Sequence, residues 1–124
     1  MTILSVDDST TIRRIVKRTV NELGHEVLEA ADGPSALEVL AANYSGVQMV
    51  ILDWNMPGMT GLEVLREIRA NELYKDIVVM MLTSEAEQSF VVQALQAGAK
   101  NYLTKPFDKD LLNLKIQECL SLGA

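Results

Sequence analysis

Cysteine is almost missing from this chain: Cys119 is the only one in 124 residues. An internal disulfide is therefore excluded, and a reducing cytoplasm is compatible with the sequence. The simplest role for Cys119 is a small apolar residue on the last helix. Basic residues are also scarce, 11 against 17 acids, and the net charge of −6 argues against non-specific nucleic-acid binding and for protein partners. No apolar run approaches the roughly 18 residues needed to span a bilayer. The opening MTILSVDDST loses its apolar character at Asp7 and does not resemble a signal peptide. Neither GxGxxG nor GxxxxGK[ST] occurs, so the usual nucleotide-binding loops are absent. Linkers and low-complexity segments are lacking too. With 48% hydrophobic residues the chain has enough material for one core, and a single domain over residues 1–124 is expected.

What the chain does contain is a steady alternation of two periods. Short apolar runs at Ile3–Val6, Glu26–Ala30, Met49–Leu52, Ile77–Leu82 and Asn101–Leu103 predict strands. Between them lie helical stripes. Ile12, Ile15, Val16, Thr19, Val20 and Leu23 form the first, stopped at Gly24. Leu37, Leu40 and Ala41 form the second, with Pro34 in its first turn, where a missing N–H costs little. Thr60 with Glu63 predicts a capping box before Leu62, Leu65 and Ile68. Ser84 with Glu87 predicts another before Val91, Ala94 and Leu95, in a helix closed by Gly98. Leu111, Leu112, Lys115, Ile116, Cys119 and Leu120 make the last helix. Strands alternating with helices imply an α/β fold, a parallel sheet covered on both faces.

The polar residues that end these strands carry the chemistry. Asp7 and Asp8 follow TILSV, Asp53 follows MVIL, Thr83 follows VVMML, and Lys105 follows YLT. Ligands of doubly wound sheets bind beyond the carboxyl ends of the strands, where strand order reverses, and that rule brings all five into one crevice. Crowded carboxylates repel, and burial makes each ionised form costlier. A divalent cation relieves both problems, and an oxygen-only donor set suits Mg²⁺, with Mn²⁺ as a substitute. Beside such a cation and the Lys105 ammonium, the Asp53 carboxylate is suited to accept a phosphoryl group as an acyl phosphate.

Four segments extend this reading: VDDS at Val6–Ser9, ILDWNMPGMTGLEVL at Ile51–Leu65, MLTSE at Met81–Glu85 and YLTKPF at Tyr102–Phe107. In this order the chain resembles, over nearly its whole length, the receiver domain of bacterial two-component response regulators. The resemblance implies a flavodoxin-like (βα)5 sandwich with a parallel sheet in the order 2-1-3-4-5. It implies that Asp53 is the phosphoacceptor. Asp7, Asp8 and Asp53, with the Asn55 backbone carbonyl, would hold Mg²⁺. Lys105 would pair with the phosphoryl group, across a cis bond to Pro106. Thr83 and Tyr102 would act as switch residues, the hydroxyl moving toward the phosphoryl oxygen and the ring turning inward behind it. Pro57, Gly58 and Gly61 would shape the loop around the site.

The length and the WNMPGMTGLEVLREIRA and LTSEAE segments are similar to chemotaxis-type, CheY-like single-domain receivers. In that group Asn55 and Glu85 would tune dephosphorylation. The output surface would be the fourth helix, fifth strand and fifth helix, including Ala86, Val91, Tyr102, Thr104 and Lys115. The implied partners are a CheA-like sensor histidine kinase, an output protein such as a flagellar motor switch protein, and a phosphatase. The implied protein is a cytoplasmic monomer that acts as phosphoacceptor without a separate turnover substrate. One departure is the start of the fourth helix, Glu85-Ala86-Glu87-Gln88, which has no basic residue. Alternatives are a receiver belonging to a larger regulator and an aspartyl-nucleophile phosphatase, although the general-acid position of the latter is Asn55 here. A flavodoxin-like mononucleotide binder is disfavoured because Asp7 and Asp8 would repel its phosphate. Trp54 is expected as a partly exposed wall of the crevice, and Phe90 and Val92 as exposed apolar residues. Met56, Met59, Met80 and Met81 are expected as filler. His25 is expected to lie in a turn without a metal or relay role, and Glu26, Glu29 and Asp32 to be solvated charges.

Overall fold

The computed structural model describes residues 1–123. In chain order the elements are β1 (Thr2–Val6), α1 (Thr10–Glu22), β2 (Glu26–Ala30), α2 (Gly33–Asn43), β3 (Val47–Leu52) and α3 (Gly61–Ala70). After a 3₁₀ turn at Glu72–Tyr74 come β4 (Val78–Thr83), α4 (Gln88–Gln96), β5 (Asn101–Thr104) and α5 (Lys109–Gly123). All strand pairings are parallel, in the order β2-β1-β3-β4-β5. The expected order and fold class are therefore observed, with strand ends moved by one or two residues.

Alternation within the buried strands divides the core between two faces. Val79 and Met81 of β4 point into the layer under α2, α3 and α4, together with Leu40, Leu65 and Ala94. Val78, Met80 and Leu82 point into the layer under α1 and α5, together with Val16, Val20, Leu112, Ile116 and Cys119. Every residue of β4 is buried, as expected for an inner strand covered on both sides. Burying one such Met or Leu side chain contributes about 1.5–3 kcal/mol. Met80 and Met81 are thus core filler as expected, and Cys119 is a buried free thiol that burial pushes up to about 11.

Helix boundaries follow local chemistry in most places. Ser9 caps α1 by accepting from the Ile12 amide at 3.2 Å, and Gly24 follows the helix with φ +86°. Thr60 and Glu63 form the expected reciprocal capping box on α3. Asp32, expected as a solvated charge, instead caps α2 by accepting from Ser35 N–H at 2.8 Å, an interaction that lowers the pKa of its carboxyl. Glu29 is paired with Arg13 at 3.2 Å. The second expected capping box is not formed: α4 begins at Gln88, after Glu87, with no side-chain cap. Ser84 lies too early to cap it because the segment after β4 is held by the site, the Glu85 amide donating to Thr83 Oγ1 and the Glu85 carbonyl accepting from Tyr102.

Several stripe residues lie outside the core. Ile15, Leu95 and Leu111 are exposed, while Ala36, absent from the expected stripe of α2, is fully buried. A 3.6-residue period defines a sector of the helix, and only the sheet fixes which edge of that sector is covered.

The β3–α3 loop is tied down by Gly61, whose amide donates to the Trp54 carbonyl at 2.8 Å. A Cβ at Gly61 would collide with the backbone carbonyl of Asp53 and come within 2.8 Å of Trp54 Cα. Since rigid backbone, not a mobile side chain, fills that space, Gly61→Ala should destabilise the protein by about 1–3 kcal/mol. Urea denaturation measures this, and an unchanged midpoint would refute the packing assignment.

Candidate functional site

The backbone ladder continues one residue past the strands and fixes the rim. Asp7 N–H donates to the Ala30 carbonyl, Asp53 N–H to the Val6 carbonyl at 2.9 Å, and Lys105 N–H to the Thr83 carbonyl at 2.9 Å. Strand order reverses around β1, which lies between β2 and β3. The Asp7–Asp8 and Asp53 corners therefore meet at that switch point. Asp7, Asp8 and Asp53 each offer a carboxylate oxygen, all within 4.8 Å of one another. Asp7 and Asp53 are buried, whereas Asp8 is exposed. Lys105 Nζ is 2.7 Å from Asp7 Oδ2 and 3.5 Å from Asp53 Oδ2. The peptide bond between Lys105 and Pro106 is cis.

Burial raises the pKa of the Asp53 carboxyl, and the Asp7 charge raises it further; Lys105, Thr83 and the Asn55 amide oppose the shift without cancelling it. Three carboxylates against one ammonium leave a negative excess in a partly desolvated crevice. The donors are hard oxygens, and one of them, Asp8, faces solvent, which gives an ion a route in. This set is compatible with a divalent metal ion.

The remaining site residues form a second layer around the crevice. Asn55 Nδ2 donates to Glu85 Oε1 at 2.6 Å, so the loops after β3 and β4 are bridged across its mouth. Thr83 is fully buried at the end of β4. The Tyr102 hydroxyl donates to the Glu85 carbonyl at 2.6 Å, and burial, with Glu85 and Asp53 nearby, pushes its pKa up to about 12. The phenol thus remains a hydrogen-bond donor at neutral pH.

Comparison with known proteins agrees with this geometry. The family model described as "Response regulator receiver domain" matches residues 3–117. The chain belongs to the response regulator receiver domain family. This receiver is 44% identical over 125 residues to a "Chemotaxis protein CheY homolog" of Campylobacter jejuni, covering 100% of this chain and 95% of the relative. It is 45% identical over 121 residues to "Chemotaxis protein CheY1" of Helicobacter pylori, covering 97% of each. Among solved structures, Vibrio cholerae chemotaxis protein CheY4 matches with a TM-score of 0.87 at 36% identity, covering 96% of this chain and 98% of that one.

The surroundings of the receiver site correct two expectations. Trp54 is buried, 7% exposed, where a partly open wall was expected. Phe90 of α4 covers it, with ring centroids 4.8 Å apart at 86°, an edge-on contact worth about 0.5–1.5 kcal/mol beyond area burial. Phe90 is accordingly half-buried, while Val92 is 41% exposed as expected. Neither Trp54 nor Phe90 signals this pairing in sequence, since they are far apart along the chain. Arg13 was also missed: it donates to the Asp7 backbone carbonyl while pairing with Glu29, which ties α1 and β2 to the acidic corner. Of the proposed output residues, Ala86 is exposed, and Val91, Tyr102, Thr104 and Lys115 are partly so. His25 is partly buried between α1 and β2, away from this crevice.

The raised pKa of Asp53 has a definite consequence for stability. A carboxyl that binds its proton more tightly when folded adds stability below its unfolded pKa, near 3.8, and loses it as pH rises through the folded value. At pH 7 without metal the ionised group is therefore destabilising. Asp53→Asn should raise the unfolding midpoint in chelator at pH 7, and the difference should close as pH falls below about 4. A lower midpoint for the variant at pH 7 would contradict this assignment.

Proposed function

We propose that residues 1–124 form one receiver domain that acts as a phosphorylation-activated switch of a two-component system, with Asp53 as its phosphoacceptor. The observation that carries the assignment is the buried Asp53 carboxylate, flanked by the Lys105 ammonium and by the Asp7 and Asp8 carboxylates. An Asp53 oxygen attacks the phosphorus of a phosphohistidine or small phosphodonor. A new O–P bond forms as the donor's bond to phosphorus breaks, and the donor leaves with the electron pair. Lys105, now closer to Asp7, has reach to the incoming phosphoryl oxygens and balances their charge. Asp7, Asp8 and Asp53, with the Asn55 carbonyl, would hold Mg²⁺ (or Mn²⁺), which when bound supplies positive charge to the phosphoryl oxygens. The protein is a phosphoacceptor without a separate turnover substrate.

The switch proceeds from Thr83 to Tyr102 in this reading. Thr83 turns its hydroxyl toward the phosphoryl group, which disturbs its contact with the Glu85 amide. Tyr102, bonded to the Glu85 carbonyl, follows into the space behind it. New charge at Asp53 thereby biases the surface formed by α4, β5 and α5, including Ala86, Val91, Tyr102, Thr104 and Lys115. Asn55 and Glu85, bridged over the mouth, tune the access of hydrolytic water. The chemotaxis proteins among its relatives favour a CheA-like histidine kinase as donor and a flagellar motor switch protein as target, with a phosphatase to reset the signal. A cytoplasmic monomer fits this role, and no described helix is long and apolar enough to cross a membrane.

With Mg²⁺ and acetyl phosphate, the intact mass should rise by one phosphoryl group and Trp54 fluorescence should change. Asp53→Asn should show neither, and an equal mass gain in that variant would overturn the assignment. Thr83→Ala should still take up the phosphoryl group but lose most of the difference in target affinity between the phosphorylated and unmodified forms. Calorimetric unfolding offers an independent check on the metal. At ten times its dissociation constant Mg²⁺ should add about 1.4 kcal/mol of stability, and the gain should disappear in Asp8→Asn/Asp53→Asn.

A further inference from the structure

A cavity of about 380 Å³ opens at the end of the sheet opposite the acidic crevice. Val47 and Gln48, which start β3, Val78, which starts β4, and Leu120 near the end of α5 all line it. The crevice lies beyond the last residues of those same strands. In size the cavity falls within the range of small-molecule sites, roughly 300–1,000 Å³. Val47, Ile77 and Val78 are buried in its lining, while Met1, Tyr44 and Leu73 stand exposed around them. Leu73, 62% exposed, and Met1, 56% exposed, are the most exposed large apolar side chains among the described residues. One exposed leucine means little, but several exposed apolar side chains around one cavity form a patch of the kind that marks a binding site.

Local structure explains how this lining is held. In the 3₁₀ turn Glu72–Tyr74 the Asn71 side chain accepts from the Leu73 N–H at 2.9 Å, and Tyr74 takes the buried position, which leaves Leu73 outside. Tyr74 also backs the exposed Tyr44, with ring centroids 5.8 Å apart at 49°. Asp76 is the one charged side chain of the lining. It is exposed and, among the described residues, forms no ion pair. Gln48 Oε1 is occupied by the Thr2 amide at 2.7 Å, so the strong acceptor that remains is the Asp76 carboxylate.

We propose that this cavity is a binding site for a small organic ammonium ion, with its apolar body between Tyr44 and Leu73 and its charged end at Asp76. The carboxylate and the face of the Tyr44 ring both attract an ammonium group. An anion would meet the Asp76 charge unopposed within the lining, and the net charge of −6 acts in the same direction. A bare Mg²⁺ or Ca²⁺ would find a single carboxylate among mainly apolar side chains, too few oxygens for either ion. The apolar walls instead suit a ligand that brings its own hydrocarbon surface. The cavity shares no residue with the phosphoryl crevice and does not depend on its assignment.

The test titrates 2-phenylethylammonium into the full chain and follows backbone amide chemical shifts, with 2-phenylethanol and 3-phenylpropanoate as neutral and anionic counterparts. The amine should give saturable shifts at Tyr44, Leu73, Asp76 and Ile77 and bind most tightly of the three, the carboxylate least. Asp76→Asn should weaken the amine by about fivefold, as expected for an exposed ion pair, and remove its advantage over the alcohol. Asp110→Asn, at the opposite end of α5 from Leu120, should change its affinity by less than about twofold. Tyr44→Leu should weaken the amine more than the alcohol. The proposal is overturned if the carboxylate binds as well as the amine, if the shifts map to the crevice or to α4, or if Asp76→Asn binds the amine unchanged. Absence of saturable binding at about 10 mM amine would overturn it too. So would concentration-dependent shifts of the same residues without amine, which would assign the patch to a second copy of this chain. Comparison of the three probes on the parent chain keeps the test decisive if a variant folds poorly.

Discussion

Crowding of like charge at the switch point of the sheet is the constraint around which this receiver is organised. Asp7 and Asp53 are both buried, and each is held by a backbone hydrogen bond that extends a strand by one residue. They cannot separate without breaking the ladder between β1 and β3. Lys105 offsets part of their repulsion from the end of β5. The rest of the fold holds these ends together: two hydrophobic layers, one on each face of the sheet, supply the stability that a strained acidic rim costs.

The same constraint makes the site responsive. A carboxylate whose ionised form is disfavoured by burial and by a neighbouring charge gains from any positive charge brought beside it. Covalent modification there would change local charge under Thr83 and beside the Asn55–Glu85 bridge, and Tyr102 is tied to that same bridge through the Glu85 carbonyl. The loop after β4 thus connects to the crevice on one side and to the surface of β5 on the other. Edge-on packing of Phe90 against Trp54 adds a second, apolar connection between the β3–α3 loop and α4.

Much of this was legible residue by residue. The strands were legible because inner parallel strands are nearly continuous apolar runs, and β4, buried throughout, is the clearest of them. Asp7, Asp8, Asp53, Thr83 and Lys105 were legible because each directly follows or ends such a run. Thr60 and Glu63 announced their cap because both partners lie within one turn. The failures share a different feature. Ser84 and Glu87 have the same local pattern as Thr60 and Glu63, yet Tyr102, from a different strand, competes for that segment. Trp54 was expected at the surface because nothing near it in sequence indicates that Phe90 will cover it.

The sequence by itself therefore determined the periods, the strand-end charges and the family, since these depend on neighbours within a few residues or on motifs in order. It also determined that the site is acidic and that Glu85-Ala86-Glu87-Gln88, read as the start of the fourth helix, has no basic residue. Tertiary structure alone decided the distances: that Lys105 stands closer to Asp7 than to Asp53, that Asn55 reaches Glu85, and that Asp8 is the exposed carboxylate of its cluster. It also decided which edge of each apolar stripe meets the sheet. The reason is physical. Electrostatic energies and burial depend on separations between residues that are remote along the chain, and only the packed sheet brings them within a few ångströms.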